Sequence, residues 1–242
     1  MKDNIKVLLR KILIYLHLDI TRNLKYDRLT EKIIAKTITS LSNCIDIGAH
    51  KGEILDLFLK YAPNGNHFAF EPIPIFYEKL KKKYIDICFV SPTALSNYIG
   101  KTNFQFVKNA PAFSGIKKRK YDIKNPEIEE IEVQIGTLDS ILDKNEKIDF
   151  IKIDVEGAEL AVLEGAKSVI ETCKPYILFE SGLGGSDYYG TTPELVFDFF
   201  EGVELKISTL KDWLMDKKKV LSKKQFCDHF NQNTEYYFFA HT

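Results

Sequence analysis

The sequence has no excess of charge of either sign. Its 242 residues include 34 Lys and Arg and 34 Asp and Glu, so we expect no broad electrostatic attraction to nucleic acid. Its four cysteines are far apart and form no Cys-x-x-Cys pair, which argues against a zinc ribbon or a disulfide framework. Such thiols favour a reducing cytoplasm. No repeat or linker is visible, and a chain of this length can bury one sizeable core.

The first 41 residues carry apolar side chains at helical spacing. Between Ile5 and Leu16 these are interspersed with basic residues, a pattern that predicts an amphipathic helix. The stretch is too short and too charged to span a bilayer, and it lacks the uninterrupted apolar core of a signal peptide. We therefore predict a helical extension over residues 1–41 that packs on the domain or on a second subunit. Weak attachment to an anionic membrane face is the alternative.

The most informative stretch is residues 44–52, which read Cys-Ile-Asp-Ile-Gly-Ala-His-Lys-Gly. A short apolar run ends there at Asp46, and a turn containing Gly48 and Gly52 leads into a helix. A nicotinamide dehydrogenase would show Gly-x-Gly-x-x-Gly, whereas this loop has only two glycines with an acid before them. The loop suits a cofactor without phosphates whose cationic end prefers a carboxylate, such as S-adenosylmethionine. An ordinary strand-turn-helix connection is the alternative.

A second acid follows at the spacing of a ribose-binding residue. Glu71 ends the apolar run from His67 to Phe70 and lies 19 residues beyond Gly52. In nucleotide-binding α/β folds, an acid about 20 residues past the glycine turn holds the ribose hydroxyls. Apolar side chains at helical spacing predict a helix over residues 53–61, which fills the interval.

Two further predicted strands also end in acids. One occupies residues 148–153 and the other occupies residues 176–179. The acids that follow them are Asp154, Glu156, Glu159 and Glu180. Ligands of open α/β sheets bind beyond the carboxyl ends of the strands, so we expect these carboxylates to face one crevice together with Asp46 and Glu71.

Taken in chain order, these motifs resemble the FkbM family of S-adenosylmethionine-dependent methyltransferases. The similarity extends from about Cys44 to Ala240, and its matching segments are 46–52, 69–74, 94–97, 137–139 and 149–159. The last segment, Asp-Phe-Ile-Lys-Ile-Asp-Val-Glu-Gly-Ala-Glu, is the most specific. One departure is His50, where the family more often carries Asn. A histidine can also donate a hydrogen bond to the amino-acid end of the cofactor.

The resemblance implies a fold, a cofactor site and an acceptor class. The implied fold is a Rossmann-like class I α/β methyltransferase domain over residues 42–242, with a seven-stranded, mostly parallel sheet, an antiparallel edge strand and an inserted hairpin. The residues that it assigns to S-adenosylmethionine are Asp46, Gly48, Ala49, His50, Gly52, Glu71, Pro72, Ala94, Leu95, Ser96 and Asp154. The implied acceptor is a hydroxyl of a bacterial saccharide or a nucleotide-linked sugar. A secondary metabolite is the alternative acceptor, and a non-catalytic partner subunit is the alternative to an enzyme.

Two surface segments are candidates for acceptor binding. Residues 101–134 predict a hairpin whose tip carries a basic run at 117–120, which is either a solvated face or a grip for a phosphorylated or acidic acceptor. The glycine-rich segment 181–190 carries Tyr188 and Tyr189, which either stack on a sugar ring or belong to a mere connector. Glu159 either contacts the acceptor or stabilises the first turn of its own helix.

Methylation of a hydroxyl needs a group that takes up the acceptor's proton. The candidate catalytic residues are Asp154, Glu156 and Glu180, because burial can raise the pKa of a carboxyl group until it serves as a base. Alternatively, Asp154 and Glu180 hold a divalent cation such as Mg²⁺ that acidifies the hydroxyl. We predict a cytoplasmic enzyme that acts on a small-molecule or saccharide acceptor, without a nucleic-acid partner or a transmembrane segment.

Overall fold

The computed structural model describes residues 22–121, 123–216 and 219–242. Within them the helices are α1 (Arg22–Thr37), α2 (Glu53–Tyr61), α3 (Pro74–Lys83), α4 (Leu138–Ile141), α5 (Glu159–Gly165), α6 (Lys167–Cys173), α7 (Pro193–Gly202), α8 (Leu210–Met215) and α9 (Lys223–Asn231). The strands are β1 (Cys44–Ile47), β2 (His67–Phe70), β3 (Phe89–Ser91), β4 (Ala94–Leu95), β5 (Gly100–Val107), β6 (Ile128–Gly136), β7 (Phe150–Ile153), β8 (Tyr176–Glu180), β9 (Lys206–Thr209) and β10 (Tyr237–His241). The predicted helix over residues 53–61 has the observed bounds of α2.

The main sheet has seven strands in the order β3-β2-β1-β7-β8-β10-β9. All neighbouring pairs from β3 to β8 are parallel, and β10 runs antiparallel to both β8 and β9. The expected α/β architecture is therefore confirmed. The antiparallel strand lies one position inside the edge, because the end of the chain returns into the gap between β8 and β9 and pairs on both sides.

The insertion forms a second sheet of its own. Its strands have the order β4-β6-β5, with β5 and β6 paired antiparallel from Gly100 opposite Ile135 to Val107 opposite Ile128. The predicted hairpin is therefore present, but it pairs with β4 and not with the main sheet. The assignment of residues 94–97 to a third strand of the main sheet is corrected, because that strand is β3. Pro92 cannot donate a ladder hydrogen bond, so the chain leaves the main sheet directly after β3.

Two apolar layers cover the faces of the main sheet. Alternate residues of the buried strands enter different layers, as the two-residue period of a strand requires. Ile151 belongs to the layer beneath α5, α6, α7 and α9, whereas Phe150 belongs to the layer that contains buried residues of α1 and α2. Both β1 and β7 are buried along their whole length, as expected for central parallel strands with helices on each side.

Helix α1 is part of the second layer, since Tyr26, Leu29, Ile33 and Ile34 are buried in it. The predicted amphipathic stretch from Ile5 to Leu16 lies outside the described residues. The division at residue 41 stays a prediction. No helix in the described part of the chain has both the length and the apolar character needed to cross a bilayer.

Candidate functional site

A cleft of about 1390 Å³ lies at the carboxyl ends of β1, β2, β7 and β8. This is where ligands bind to open α/β sheets. The predicted site residues that line it are Gly48, Ala49, His50, Glu71, Pro72, Ala94, Leu95, Asp154, Glu156, Glu159, Glu180 and Tyr188. Four other predicted site residues do not line it: Asp46, Gly52, Ser96 and Tyr189. Most of the residues chosen from the sequence therefore converge on one cavity.

The β1–α2 loop forms one wall of the cleft. Gly48 has a φ of 75°, and a Cβ at this position would lie 1.9 Å from the backbone oxygen of Asp154. Only glycine allows this close approach. The N–H groups of Gly48 and Ala49 both donate to the carbonyl oxygen of Phe70, at 3.0 and 3.1 Å. The loop is thereby held between the ends of β2 and β7.

Glu71 connects this loop to the segment that follows β2. Its Oε2 accepts a hydrogen bond from the His50 N–H at 2.7 Å, and its Oε1 accepts one from the Ile73 N–H at 2.9 Å. Burial raises the pKa of Glu71 to about 7, although both N–H groups favour the carboxylate. A carboxylate offers about four lone-pair positions, so two bonds leave capacity for further donors in the cleft.

His50 brings an unpartnered polar atom to the same wall. Its ring packs edge-on against Phe76 with 4.4 Å between centroids, and its buried Nε2 has no hydrogen-bond partner among the described residues. Burial, together with the nearby Lys51, lowers the pKa of His50, so the imidazole is neutral at pH 7. A neutral imidazole nitrogen of this kind can donate to or accept from a bound molecule, depending on its tautomer.

Gly52 and Ser96 have packing roles outside the cleft. Gly52 precedes α2 with a φ of 78°, and a Cβ there would lie 2.5 Å from the Tyr84 hydroxyl. That hydroxyl donates to the Gly52 carbonyl oxygen at 2.9 Å, which fixes the start of the helix against α3. Ser96 is buried, and its N–H donates to the carbonyl oxygen of Gly136 in the second sheet.

Asp46 lies beneath the cleft and is paired with a lysine that sequence reasoning did not single out. Its Oδ1 is 3.5 Å from Nζ of Lys152, the residue directly opposite it on β7. The Lys152 ammonium also donates to the Gly48 carbonyl oxygen at 3.0 Å and lies 3.6 Å from Oδ2 of Asp154. Burial works against its charge, but Asp154 and Asp46 raise the pKa of Lys152, so it stays protonated. The sequence signal that could have identified Lys152 is that it is the single lysine inside the apolar run Phe-Ile-Lys-Ile.

Three carboxylates meet on the opposite wall. Asp154, Glu156 and Glu180 each bring one oxygen into a group whose members lie within 4.8 Å of one another. Burial, and then the negative charges of Asp154 and Glu156, raise the pKa of Glu180 well above its usual range. Burial also acts on Asp154, but Lys152 and a hydrogen bond from the Tyr237 hydroxyl outweigh it and lower its pKa. Of the two, Asp154 is therefore the carboxyl group that ionises first, and Glu180 keeps its proton to the higher pH.

Glu156 is held by an arginine from the insertion. Arg119 Nη2 donates to Glu156 Oε2, and Arg119 Nη1 donates to the carbonyl oxygen of Gly184 at 2.7 Å. Burial and the charge of Asp154 raise the pKa of Glu156 to about 8, against the effect of Arg119. Arg119 was visible in the sequence only as part of the basic run 117–120, because the contact joins residues 37 positions apart.

Glu159 stabilises its own helix. Its Oε1 accepts hydrogen bonds from the N–H groups of Val155 and Gly157, both at 3.0 Å, in the loop that leads into α5. Burial raises the pKa of Glu159 to about 7. Since the same side chain lines the cleft, its predicted contact with an acceptor stays a prediction beside this observed structural role.

The two tyrosines of the glycine-rich segment hold the insertion in place. The Lys120 N–H donates to the Tyr188 hydroxyl at 3.1 Å, and the Lys117 N–H donates to the Tyr189 hydroxyl at 2.9 Å. Consecutive residues of the 3₁₀ turn Ser186–Tyr189 point in different directions, so Tyr188 lines the cleft and Tyr189 does not. The position of Tyr189 therefore does not support its predicted stacking on an acceptor.

Comparisons with known proteins bear on the family and the fold of this chain. The family model described as the Methyltransferase FkbM domain matches residues 46–203. The crystal structure of methyltransferase FkbM from Methylobacillus flagellatus KT shares the fold, with a TM-score of 0.51 and 16% identity over 84% of this chain and 44% of that chain. This chain therefore spans less than half the length of that protein.

Two weaker structural similarities were also found. A putative rRNA methylase from Clostridium thermocellum has a TM-score of 0.44 and 12% identity over 74% of this chain and 81% of that chain. Fibrillarin from Aeropyrum pernix, in complex with natively bound S-adenosyl-L-methionine, has a TM-score of 0.46 and 11% identity over 89% of this chain and 74% of that chain. No curated protein matches the sequence.

Proposed function

This chain belongs to the FkbM methyltransferase domain family, and from that premise we propose that it transfers a methyl group from S-adenosylmethionine to a hydroxyl oxygen of a saccharide or a nucleotide-linked sugar. The observation that carries the proposal is the convergence of the β1–α2 loop, Glu71 and Asp154 on one cleft. The β1–α2 loop and Glu71 suit the amino-acid and neutral parts of the donor. Asp154 lies where a carboxylate can attract the cationic part of the donor and accept a proton from the acceptor.

The residues of the donor side fit S-adenosylmethionine in three respects. Gly48 lets the loop pack directly against the backbone of Asp154, and His50 on that loop offers an unpartnered ring nitrogen. Glu71 keeps lone pairs for two ribose hydroxyls after binding two backbone N–H groups. Ala94 and Leu95 add an apolar surface to the same cleft. We assign the predicted contribution of Asp46 to the support of this loop from below, since it does not line the cleft.

The opposite wall fits the positive charge of the donor. Four of the carboxyl groups that line the cleft follow β7 or end β8, and we call these four, Asp154, Glu156, Glu159 and Glu180, the acidic wall. Lys152 and Arg119 are its cationic contacts among the described residues. Asp154, whose pKa is lowered, brings a negative charge to this wall and so favours a cationic ligand, and bound S-adenosylmethionine would supply a sulfonium whose methyl group is already activated. The wall then has two tasks, which are to attract the donor and to take up the acceptor's proton.

We assign the proton to Asp154. The acceptor oxygen forms the new O–CH₃ bond while the S–CH₃ bond breaks, and the hydroxyl proton passes to a carboxylate within reach. Asp154 ionises before Glu180, because Lys152 and Tyr237 lower the pKa of Asp154 while burial and neighbouring negative charges raise the pKa of Glu180. Tyr237 orients Asp154 through its hydroxyl, and Arg119 engages Glu156. In this assignment Glu180 forms a hydrogen bond with Asp154. Glu156 holds the acidic wall in place through its contact with Arg119.

A divalent cation is the other route that these carboxylates allow. Three oxygen ligands within 4.8 Å of one another suit a hard ion such as Mg²⁺. Against this route, Arg119 already engages Glu156, Tyr237 already engages Asp154, and the raised pKa of Glu180 disfavours the ionised form that a metal needs. We therefore favour direct proton transfer and treat metal dependence as a matter for experiment.

The acceptor class rests on the family and on the edge of the cleft. Tyr188 lines the cleft with its ring, and Lys120 lines it from the insertion. Lys117 and Lys118 are exposed on the same segment, which the tyrosine hydroxyls hold in place. Positive charge at the rim suits the diphosphate of a nucleotide-linked sugar, whereas a free sugar would gain little from it. A secondary metabolite remains the second acceptor class.

The test has two parts. Calorimetry with S-adenosylmethionine measures donor binding, and a panel of free sugars, nucleotide sugars and polyketide-like alcohols with labelled donor measures transfer. We expect donor binding and methylation of a sugar hydroxyl. A purified, folded protein that binds no donor would instead support the non-catalytic partner subunit. Replacing Lys118 and Lys120 with glutamine should raise KM for a nucleotide sugar and not for its uncharged counterpart, with Lys167→Gln on α6 as the control.

A further inference from the structure

Lys152 is a buried cation in an apolar layer. It lies in the middle of β7, between Asp46 of β1 and Leu178 of β8, and its side chain is 8% exposed. Residues paired across a parallel sheet point to the same face, so Asp46 and Lys152 enter the layer that also holds Leu178 and Phe150. A charged pair there requires an explanation, because both groups lose water on folding.

Stability alone does not explain the pair. A buried ion pair repays the loss of hydration only when its geometry is very good, and a well-packed apolar pair in the same space is often at least as stable. The separation of 3.5 Å between Lys152 Nζ and Asp46 Oδ1 is longer than a strong charge-assisted hydrogen bond. The shortest contact of the ammonium, 3.0 Å, is instead with the carbonyl oxygen of Gly48.

The three contacts of this ammonium connect the two walls of the cleft. Gly48 belongs to the β1–α2 loop, and Asp154 begins the acidic wall at the end of β7. The loop and Asp154 already approach so closely that a Cβ on Gly48 would overlap the Asp154 backbone oxygen. The Lys152 ammonium lies between them, where it contacts the carbonyl oxygen of Gly48 and the carboxylate of Asp154. The carboxylate of Asp46 is its counter-charge below.

We propose that Lys152 is a positioning residue, which fixes the β1–α2 loop and the Asp154 carboxylate relative to each other so that the methyl donor and the proton acceptor are aligned. The proposal rests on the proposed function, since it concerns the donor of that reaction. Lys152 also lines the cleft, and the role proposed for it is exerted through its contacts with Gly48 and Asp154. Asp46 then serves to keep the ammonium in place.

The experiment compares three variants of the full chain. Lys152→Met removes the charge and leaves Asp46 unpaired, so we expect a lower melting temperature. Asp46→Asn keeps the ammonium on Gly48 and Asp154. The double variant Asp46→Asn/Lys152→Met removes the Asp46–Lys152 pair, and we expect its melting temperature to lie between those of Lys152→Met and Asp46→Asn, because Asp154 still loses its cation. Lys167→Met, which removes an exposed lysine paired with Glu171, is the control for the loss of a lysine.

Measurements of donor affinity distinguish a positioning role of Lys152 from a role in stabilising the fold alone. The double variant should bind S-adenosylmethionine at least about tenfold more weakly than Asp46→Asn alone, because the hydrogen bond to Gly48 is lost in a protein that is still folded. Its kcat should fall as well, with the acceptor KM nearly unchanged, since Asp154 is displaced. The variant Asp46→Asn/Lys152→Gln repeats the comparison with a polar neutral side chain if the methionine variant does not fold.

Two results would be decisive against parts of this argument. If the double variant binds the donor as tightly as Asp46→Asn and turns over as fast, Lys152 is only the partner of Asp46, and the proposal is overturned. If the wild-type protein itself binds no donor while remaining folded, the proposed function fails, and the positioning role of Lys152 in donor alignment is overturned with it. The first result leaves the proposed function intact, so the two failures are distinguishable.

Discussion

Replacement of Glu71 with glutamine tests the donor side of the cleft most directly. The Glu71 carboxylate accepts hydrogen bonds from the N–H groups of His50 and Ile73, at 2.7 and 2.9 Å. Glutamine has nearly the same shape, but only one of its two head atoms is an acceptor. Whichever way the amide is oriented, its NH₂ group faces one of the two backbone N–H donors.

The expected loss follows from these two contacts. One charge-assisted hydrogen bond disappears and a donor faces a donor, which corresponds to about 1.5–3 kcal/mol. If the order of the His50 loop is needed for binding, this free energy appears in donor affinity as a weakening of roughly 10-fold to 150-fold. The ribose hydroxyls would lose a carboxylate as well, so we expect the upper part of this range.

Calorimetric titration of Glu71→Gln with S-adenosylmethionine measures the effect. Glu78→Gln, on the exposed face of α3, is the matched control and should bind like the wild-type protein. Circular dichroism checks that both variants are folded. The reasoning is refuted if folded Glu71→Gln keeps wild-type donor affinity, because the carboxylate would then contribute neither to the loop nor to the ribose.

Four further outcomes are expected. Burial raises the pKa of Glu71 to about 7, so the contribution of this group to stability is complete below the pKa of an unfolded glutamate and is lost as pH rises through about 7. Denaturant unfolding of the wild-type protein and of Glu71→Gln from about pH 4 to about pH 8 should show this difference. Parallel pH profiles of the two proteins would contradict it. Gly48→Ala should lower the free energy of unfolding by at least about 2 kcal/mol and abolish donor binding, while Gly202→Ala, which has open space around it, should not. Arg119→Met should cost about 1–3 kcal/mol in urea unfolding because Glu156 loses its cation, and a change within error would show that this contact is weak. Dialysis against EDTA should leave methyl transfer unchanged, whereas a loss that Mg²⁺ restores would assign a metal to Asp154 and its neighbours.

Much of the fold followed from local sequence patterns. Helix α2 was expected between its observed ends because apolar side chains recur there at helical spacing after a glycine turn. The resemblance of the chain to the FkbM family is confirmed by the family match over residues 46–203. The placement of residues 94–97 was wrong, since a two-residue strand after Pro92 is too short to reveal from sequence which sheet it joins.

The hydrogen-bond partners of the predicted acids were harder to predict from the sequence. Tyr237 reaches Asp154 across 83 positions of the chain, and Arg119 reaches Glu156 across 37. No local periodicity records such contacts, because they depend on how β10 and the insertion fold over the sheet. The two tyrosines of the glycine-rich segment illustrate the same limit, since adjacent residues of one turn lie on different sides of the cleft wall.

The sequence alone determined that carboxylates stand at the ends of parallel strands, because strand period, glycine turns and acid spacing are properties of neighbouring residues. Tertiary structure decided which of those carboxylates face the cleft, which of them have raised or lowered pKa values, and which lie beside the buried Lys152. The physical reason is that burial and charge pairing are set by groups far apart in the chain, and these acquire their distances only when the sheet is assembled.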